Sequence, residues 1–181
     1  KSCAIGGSAC PKFMIESFAE KYSVNVIHAW GMTETSPLGT VNKPLSKHAK
    51  YTNKQKYDLA VKQGRPVYGV DIKIEDDEGN NLPRDGKTSG NLWVKGLWIC
   101  KGYMNIESSD VHKKDGWFLT GDVATIDEDG FMQITDRVKD VIKSGGEWIS
   151  TIEIENIAVG HPKVKEAAVV GVKHKKWDER P

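Results

Sequence analysis

The apolar residues of "GVDIKIED" and "GNLWVKG" recur at every second position: Val70, Ile72 and Ile74 in the first stretch, Leu92 and Val94 in the second. Successive side chains of an extended chain leave on opposite faces, so this alternation predicts strands with one face buried. "DDEGN" between them has turn composition, and "TIDEDGFMQITDR" reads as a further hairpin turning at Asp129-Gly130. Residues 70 to 137 are therefore expected to be mostly β, and any fold for the chain must be built around that block.

The flanks carry other patterns. Pro11 suits the opening of a helix running to Tyr22, with Met14, Phe18 and Tyr22 as one apolar stripe. "VNVIHAW" follows as a buried strand, which makes the start of the chain α/β. From Lys43 to Lys62 six lysines face one acid, Asp58, with little apolar pattern. A solvated loop or short helix is expected there, with an anion-binding patch as the alternative. After Arg137, "SGGEWIS" reads as a glycine-hinged loop, and Ser150 and Glu153 match a capping box for a helix ending at Gly160 before Pro162. "VKEAAVVGV" reads as a strand whose partners fall past the end of the chain. The class is mixed α/β (α+β).

At 181 residues the chain suits one compact domain or parts of two, and its opening at Lys1 suggests a portion of a longer protein. With 26 Lys+Arg against 25 Asp+Glu it has no charge bias towards nucleic acid or an anionic membrane. Cys3, Cys10 and Cys100 show neither a CxxC nor a zinc-ligand spacing, which fits a reduced, cytoplasmic setting. No apolar run is long enough for a transmembrane segment.

"HAWGMTETSP" places Gly31, Thr33 and Glu34 just past the "VNVIHAW" strand. In open parallel sheets ligands bind at that end of a strand, where loops leave a crevice lined by backbone donors. Three other segments need explaining together with it: "AIGGSACP", "WFLTGDVATIDEDGF" and "ITDRVKDVIKSGGEWIS". Each alone has an ordinary reading as a turn, a cap or a hairpin. In this order and spacing they resemble the core motifs of the adenylate-forming enzymes, and "DRVKDVIKSGGEWIS" with "ENIAVGHPKVKEAAVVGVKHKKWDERP" is most similar to the bacterial medium- and long-chain fatty acyl-CoA synthetases, a branch that includes ligases for methylthio-propionate.

The resemblance implies a fragment of a two-domain enzyme that activates a carboxylic acid with ATP and Mg2+, forms an acyl-adenylate, and passes the acyl group to CoA. Attack of a carboxylate on the α-phosphorus brings two anions together, so the site has to neutralise charge. Thr33 would donate to the α-phosphate and Glu34 would hold the magnesium; a helix-start acid is the plain alternative for Glu34. Trp30 would stack on adenine, a place where tyrosine is commoner, and Gly31 would let backbone approach the nucleotide. Gly6, Gly7, Ser8 and Ala9 would line the other side of the base. Asp122 would accept the ribose hydroxyls with Arg137 near ribose and phosphate, or the two would simply form a salt bridge.

Residues 1 to 138 would then be the C-terminal part of the large AMP-binding domain, and 139 to 181 the beginning of a small mobile domain. Lys139 would be the hinge, with Gly145 and Gly146 on a loop serving the thioester step. The family's phosphate loop would precede Lys1 and its adenylation lysine would follow Pro181, so the fragment alone is expected to be inactive. The rivals are an adenylate-forming domain that loads a carrier-protein pantetheine and a non-catalytic nucleotide-binding module. Acyl chain length and oligomeric state are left open.

Overall fold

The computed structural model describes residues 1–106, 110–113 and 115–181. Three four-stranded sheets are present among them, strung along the chain in order.

The first holds β1 (Ser2–Ile5), β2 (Asn25–Gly31), β3 (Leu38–Val41) and β4 (Arg65–Pro66). β1 and β2 are parallel and joined through helix α1 (Lys12–Tyr22), while β3 and β4 add antiparallel. Pro11 stands at the N-cap of α1, as its lack of an N–H suits. The buried face differs from the expected stripe. Ile15 is 3% exposed and packs with Cys10 and Val26, and Phe18 joins them three residues on, whereas Met14 and Tyr22 are 38% and 67% exposed. Tyr22 is the last helical residue and its ring meets Phe18. The helix is rotated by one position, so that Ile15 rather than Met14 meets Val26 of β2, a choice that i, i+4 spacing alone does not make.

The lysine-rich stretch folds as a short 3-10 turn (Ser46–Lys50) and α2 (Asn53–Ala60). Thr52 and Gln55 cap α2 reciprocally. Two of the six lysines hold structure together: Lys47 pairs with Asp129 and Lys62 with Asp127, the acids of the hairpin turn.

The second sheet is antiparallel throughout: β5 (Val70–Glu75), β6 (Gly90–Gly96), β7 (Phe118–Ile126) and β8 (Met132–Arg137). The alternation lands as expected, with Val70, Ile72, Ile74, Leu92 and Val94 all buried, in a core shared with Trp30, Phe118, Ile126 and Met132. Each such side chain contributes about 1.5–3 kcal/mol of burial energy. β7 and β8 join through a loop in which Asp127 accepts the N–H groups of Asp129 and Phe131, and Gly130 takes φ +81°.

The third sheet runs β10 (Glu147–Ile149), β9 (Ile142–Ser144), β12 (Asp178–Arg180), β11 (Val172–His174). Gly145 and Gly146, at φ +58° and +88°, turn β9 tightly into β10. Positive φ at both central residues is the geometry that matches strand twist in two-residue hairpins, and glycine adopts it without strain. Helix α3 (Thr151–Val159) ends at Gly160. Its cap is half of the expected box: Ser150 accepts from the Glu153 N–H, and Asp136 serves the Thr151 N–H at 2.7 Å. The expected strand over "VKEAAVVGV" is absent; only Val172–His174 pairs, because residues 164 to 171 meet no free strand edge among the described residues. No described helix is long and apolar enough to cross a membrane.

Candidate active site

β2 delivers Trp30 into the core between the first two sheets, where it is 8% exposed and its six-membered ring lies against Gly39. A Cβ at Gly39 would stand 2.3 Å from that ring, so glycine is required there for the indole to lie flat. The indole N–H reaches across to β7 and donates to Asp122 Oδ2 at 2.9 Å. The other oxygen, Oδ1, meets the Arg137 guanidinium at 2.8 Å. Asp122 and Arg137 are directly opposite in the β7–β8 register, so strand pairing sets up that contact. Asp122 is 2% exposed; burial pushes its carboxyl up, opposed by the Trp30 hydrogen bond and the Arg137 charge.

β2 ends at Gly31, where a Cβ would fall 1.8 Å from the Pro37 carbonyl oxygen. The close approach that Gly31 permits here is that of Pro37, across a turn that includes Ser36 at φ +50° and a cis Ser36–Pro37 bond. Thr33, Glu34 and Thr35 form one 3-10 turn. Thr35 is wholly buried and donates to the Pro37 carbonyl at 2.6 Å, whereas the Thr33 side chain is exposed. Glu34 accepts at Oε1 from the Tyr103 phenol at 2.9 Å.

Gly6, Gly7 and Ser8 lie exposed in the turn after β1, with Ala9 half-buried. Gly7 sits at φ +83° with open space where a side chain would go. The turn is held to the sheet through His28, whose ring nitrogens meet the Val61 and Ser8 carbonyls at 3.0 and 3.3 Å. Lys139 is exposed in the turn between β8 and β9. Gly145 packs under Trp177, where a Cβ would come within 2.7 Å of the ring. Trp148 takes the Lys143 ammonium over its ring at 4.7 Å.

The structure thus joins Trp30, Asp122 and Arg137 into one bonded unit and carries Gly31, Thr33 and Glu34 on the same strand end. Lys139 follows Arg137 by two residues; Gly145 and Gly146 sit a strand further on. One residue and one contact stand outside what the sequence showed. Tyr103 carries no local signal, being one tyrosine in a segment without periodicity. The indole N–H contact to Asp122 was foreshadowed only by tryptophan standing where tyrosine is commoner.

In the Trp30–Asp122–Arg137 unit Trp30 and Asp122 are buried and Arg137 is exposed at its outer end, and the chain belongs to the AMP-binding enzyme family, whose profile matches residues 1–104. The profile of the AMP-binding enzyme C-terminal domain matches residues 153–181. Over 177 residues, 98% of the chain, it is 58% identical to the 3-methylmercaptopropionyl-CoA ligase of Ruegeria lacuscaerulensis, covering 33% of that protein. It is 56% identical to the medium-chain-fatty-acid–CoA ligase of Ectopseudomonas oleovorans, again over 98% of the chain and 32% of the relative. The chain thus spans about a third of the length of these relatives. Among solved structures, o-succinylbenzoate CoA synthetase from Bacillus subtilis with its acyl-adenylate intermediate superposes at TM-score 0.80 and 33% identity, over 99% of this chain and 34% of that one. The same synthetase with ATP and magnesium gives TM-score 0.79 at 31% identity, over 98% and 35%.

Proposed function

We propose that this chain is the nucleotide-gripping part of an ATP-dependent, AMP-forming ligase that converts a fatty or related carboxylic acid to its acyl-adenylate and then to acyl-CoA. The observation that carries the reading is the Trp30–Asp122–Arg137 unit at the end of the strand that leads into the Thr33–Glu34 turn. Each carboxylate oxygen has two lone pairs, and one donor already occupies each oxygen of Asp122. One acceptor position per oxygen is left, which suits the two neighbouring hydroxyls of a ribose. Arg137, whose side chain is 58% exposed, is the movable member and has further N–H groups for phosphate.

Glu34 spends Oε1 on Tyr103, which leaves Oε2 for a metal. Mg2+, when bound, neutralises phosphate charge, and it needs only one or two protein carboxylates. The exposed Thr33 hydroxyl is free to donate to the α-phosphate. Trp30 is the aromatic side chain that stacks on adenine, with the Gly6–Ala9 turn on the other side of the base. Residues 1 to 138 belong to the large domain and 139 to 181 begin the small one. Lys139, exposed in its turn, is the hinge about which the small domain exchanges the adenylation arrangement for one admitting CoA, and Gly145 and Gly146 serve that second step. Three free thiols fit a cytoplasmic enzyme.

The deciding experiment measures pyrophosphate release by the complete polypeptide with ATP and Mg2+, across acids of graded chain length, with and without CoA. Acid-dependent release with CoA consumed and AMP formed is expected. Release that ignores CoA would point to a carrier-protein acceptor, and no release with any acid would sink the ligase reading.

A further inference from the structure

Residues 98 to 103 are strapped onto the turn that carries Glu34. The Cys100 N–H donates to the Glu34 carbonyl at 2.9 Å and the Ser36 hydroxyl to the Trp98 carbonyl at 3.0 Å. The Trp98 indole N–H reaches the Leu38 carbonyl at 3.3 Å. The fourth contact is the one made to a reactive group: Tyr103 Oη to Glu34 Oε1 at 2.9 Å, between residues 69 apart in sequence. The phenol ring is itself braced, since the His112 ring meets it edge-on at 5.6 Å and 76°. His112 is held in turn beside Cys100, with Nε2 3.6 Å from the thiol.

A carboxylate on a short turn rotates about its side-chain bonds, and a metal needs its free oxygen aimed at one point. Hydrogen bonds from outer partners supply that aim at many metal sites. A neutral donor does this without cancelling the negative charge the cation requires, which an ammonium in the same place would do. A tyrosine phenol keeps its proton at neutral pH, so Tyr103 is the donor in this pair.

We propose that Tyr103 is a positioning residue for the metal-binding carboxylate, holding Glu34 Oε1 so that Oε2 is presented to Mg2+. This rests on reading Glu34 as the metal ligand.

The test compares Tyr103→Phe and Glu34→Ala in the complete polypeptide. Calorimetry would read the affinity for a non-hydrolysable ATP analogue with Mg2+ and with the metal chelated, and pyrophosphate exchange would be followed against free Mg2+. Glu34→Ala is expected to abolish the affinity gained on adding Mg2+. Tyr103→Phe is expected to cut that gain by about tenfold and to move the Mg2+ midpoint of exchange upward by a similar factor, the size typical of losing an outer partner at a metal site. The shift in midpoint should exceed any fall in plateau rate. If Glu34→Ala removes the metal-dependent gain and Tyr103→Phe leaves it intact, the positioning role is overturned while the Glu34 reading stands. Retention of the gain in Glu34→Ala would overturn both.

Discussion

Trp30 and Asp122, ninety-two residues apart in sequence, are joined by a buried hydrogen bond of 2.9 Å from the indole N–H to Oδ2. It ties the strand that bears the Thr33–Glu34 turn to the strand that bears the carboxylate, so the candidate adenine and ribose contacts move as one piece. Trp30→Phe keeps a π-face and deletes the donor. Loss of a hydrogen bond to a charged group costs about 1.5–3 kcal/mol, which thermal or denaturant unfolding would register.

The same substitution has a pH signature. Burial raises the Asp122 carboxyl and the Trp30 bond opposes that rise, so removing the bond raises it further. Under the proposed function ribose binding needs the ionised carboxylate and fails as pH falls through that value. The acid limb of ATP affinity should therefore lie at higher pH in Trp30→Phe than in the parent. For folding the sense is reversed: a carboxyl raised in the folded state contributes stability below its unfolded pKa and loses it as pH rises through the folded one. Trp30→Phe should thus lose relatively less stability in acid than at neutral pH. Coincident acid limbs in parent and variant would remove Asp122 as the titrating group.

Glu34→Ala has a spectroscopic consequence independent of catalysis. The chain contains five tyrosines, and Tyr103 is held up to about 12 by burial, the Glu34 hydrogen bond and the Glu34 charge. Removing the carboxylate deletes two of those causes. Ultraviolet absorbance titration should show the Tyr103 phenol, which titrates late in the parent, moving to lower pH in Glu34→Ala, while Tyr57, raised by burial and Glu20, stays where it was. In the complete polypeptide the variant should also lose acyl-adenylate formation by about 10²–10³, the range for losing one electrostatic stabiliser of a transition state.

Gly31→Ala tests the turn itself. With Pro37 O 1.8 Å from the new Cβ, backbone has to shift, and overpacking of this kind costs about 1–3 kcal/mol. A lowered unfolding midpoint is expected. An unchanged one would mean that the turn relaxes freely.

Across the turn containing Lys139, Asp136 accepts both the Thr151 N–H and the Thr151 hydroxyl, and both residues are buried. Thr151→Val leaves the carboxylate one donor short, at a cost of about 1–3 kcal/mol measurable by denaturant unfolding. Lys139→Pro acts differently, fixing φ at the turn and restricting Val138 before it. Under the hinge reading it spares adenylation and depresses thioester formation; equal loss in both half-reactions would sink that reading.

Elements whose patterning is local could be read from consecutive residues. Alternation at Val70, Ile72 and Ile74 and at Leu92 and Val94 specifies buried strand faces, because a strand's two faces are read off consecutive residues. Ser150 and Gly160 bracket α3 since caps act within one turn of the helix they end. The motif residues were legible by resemblance, which also led to the family. Three outcomes depended on partners distant in sequence: Ile15 takes the buried place on α1, residues 164 to 171 join no strand, and the Trp30 indole N–H goes to Asp122. Tyr103 finding Glu34 across 69 residues is of the same kind. Hydrogen-bond partners are chosen by distances of about 3 Å in space, and one-dimensional spacing carries no record of them until sheets have packed and strands have taken their register.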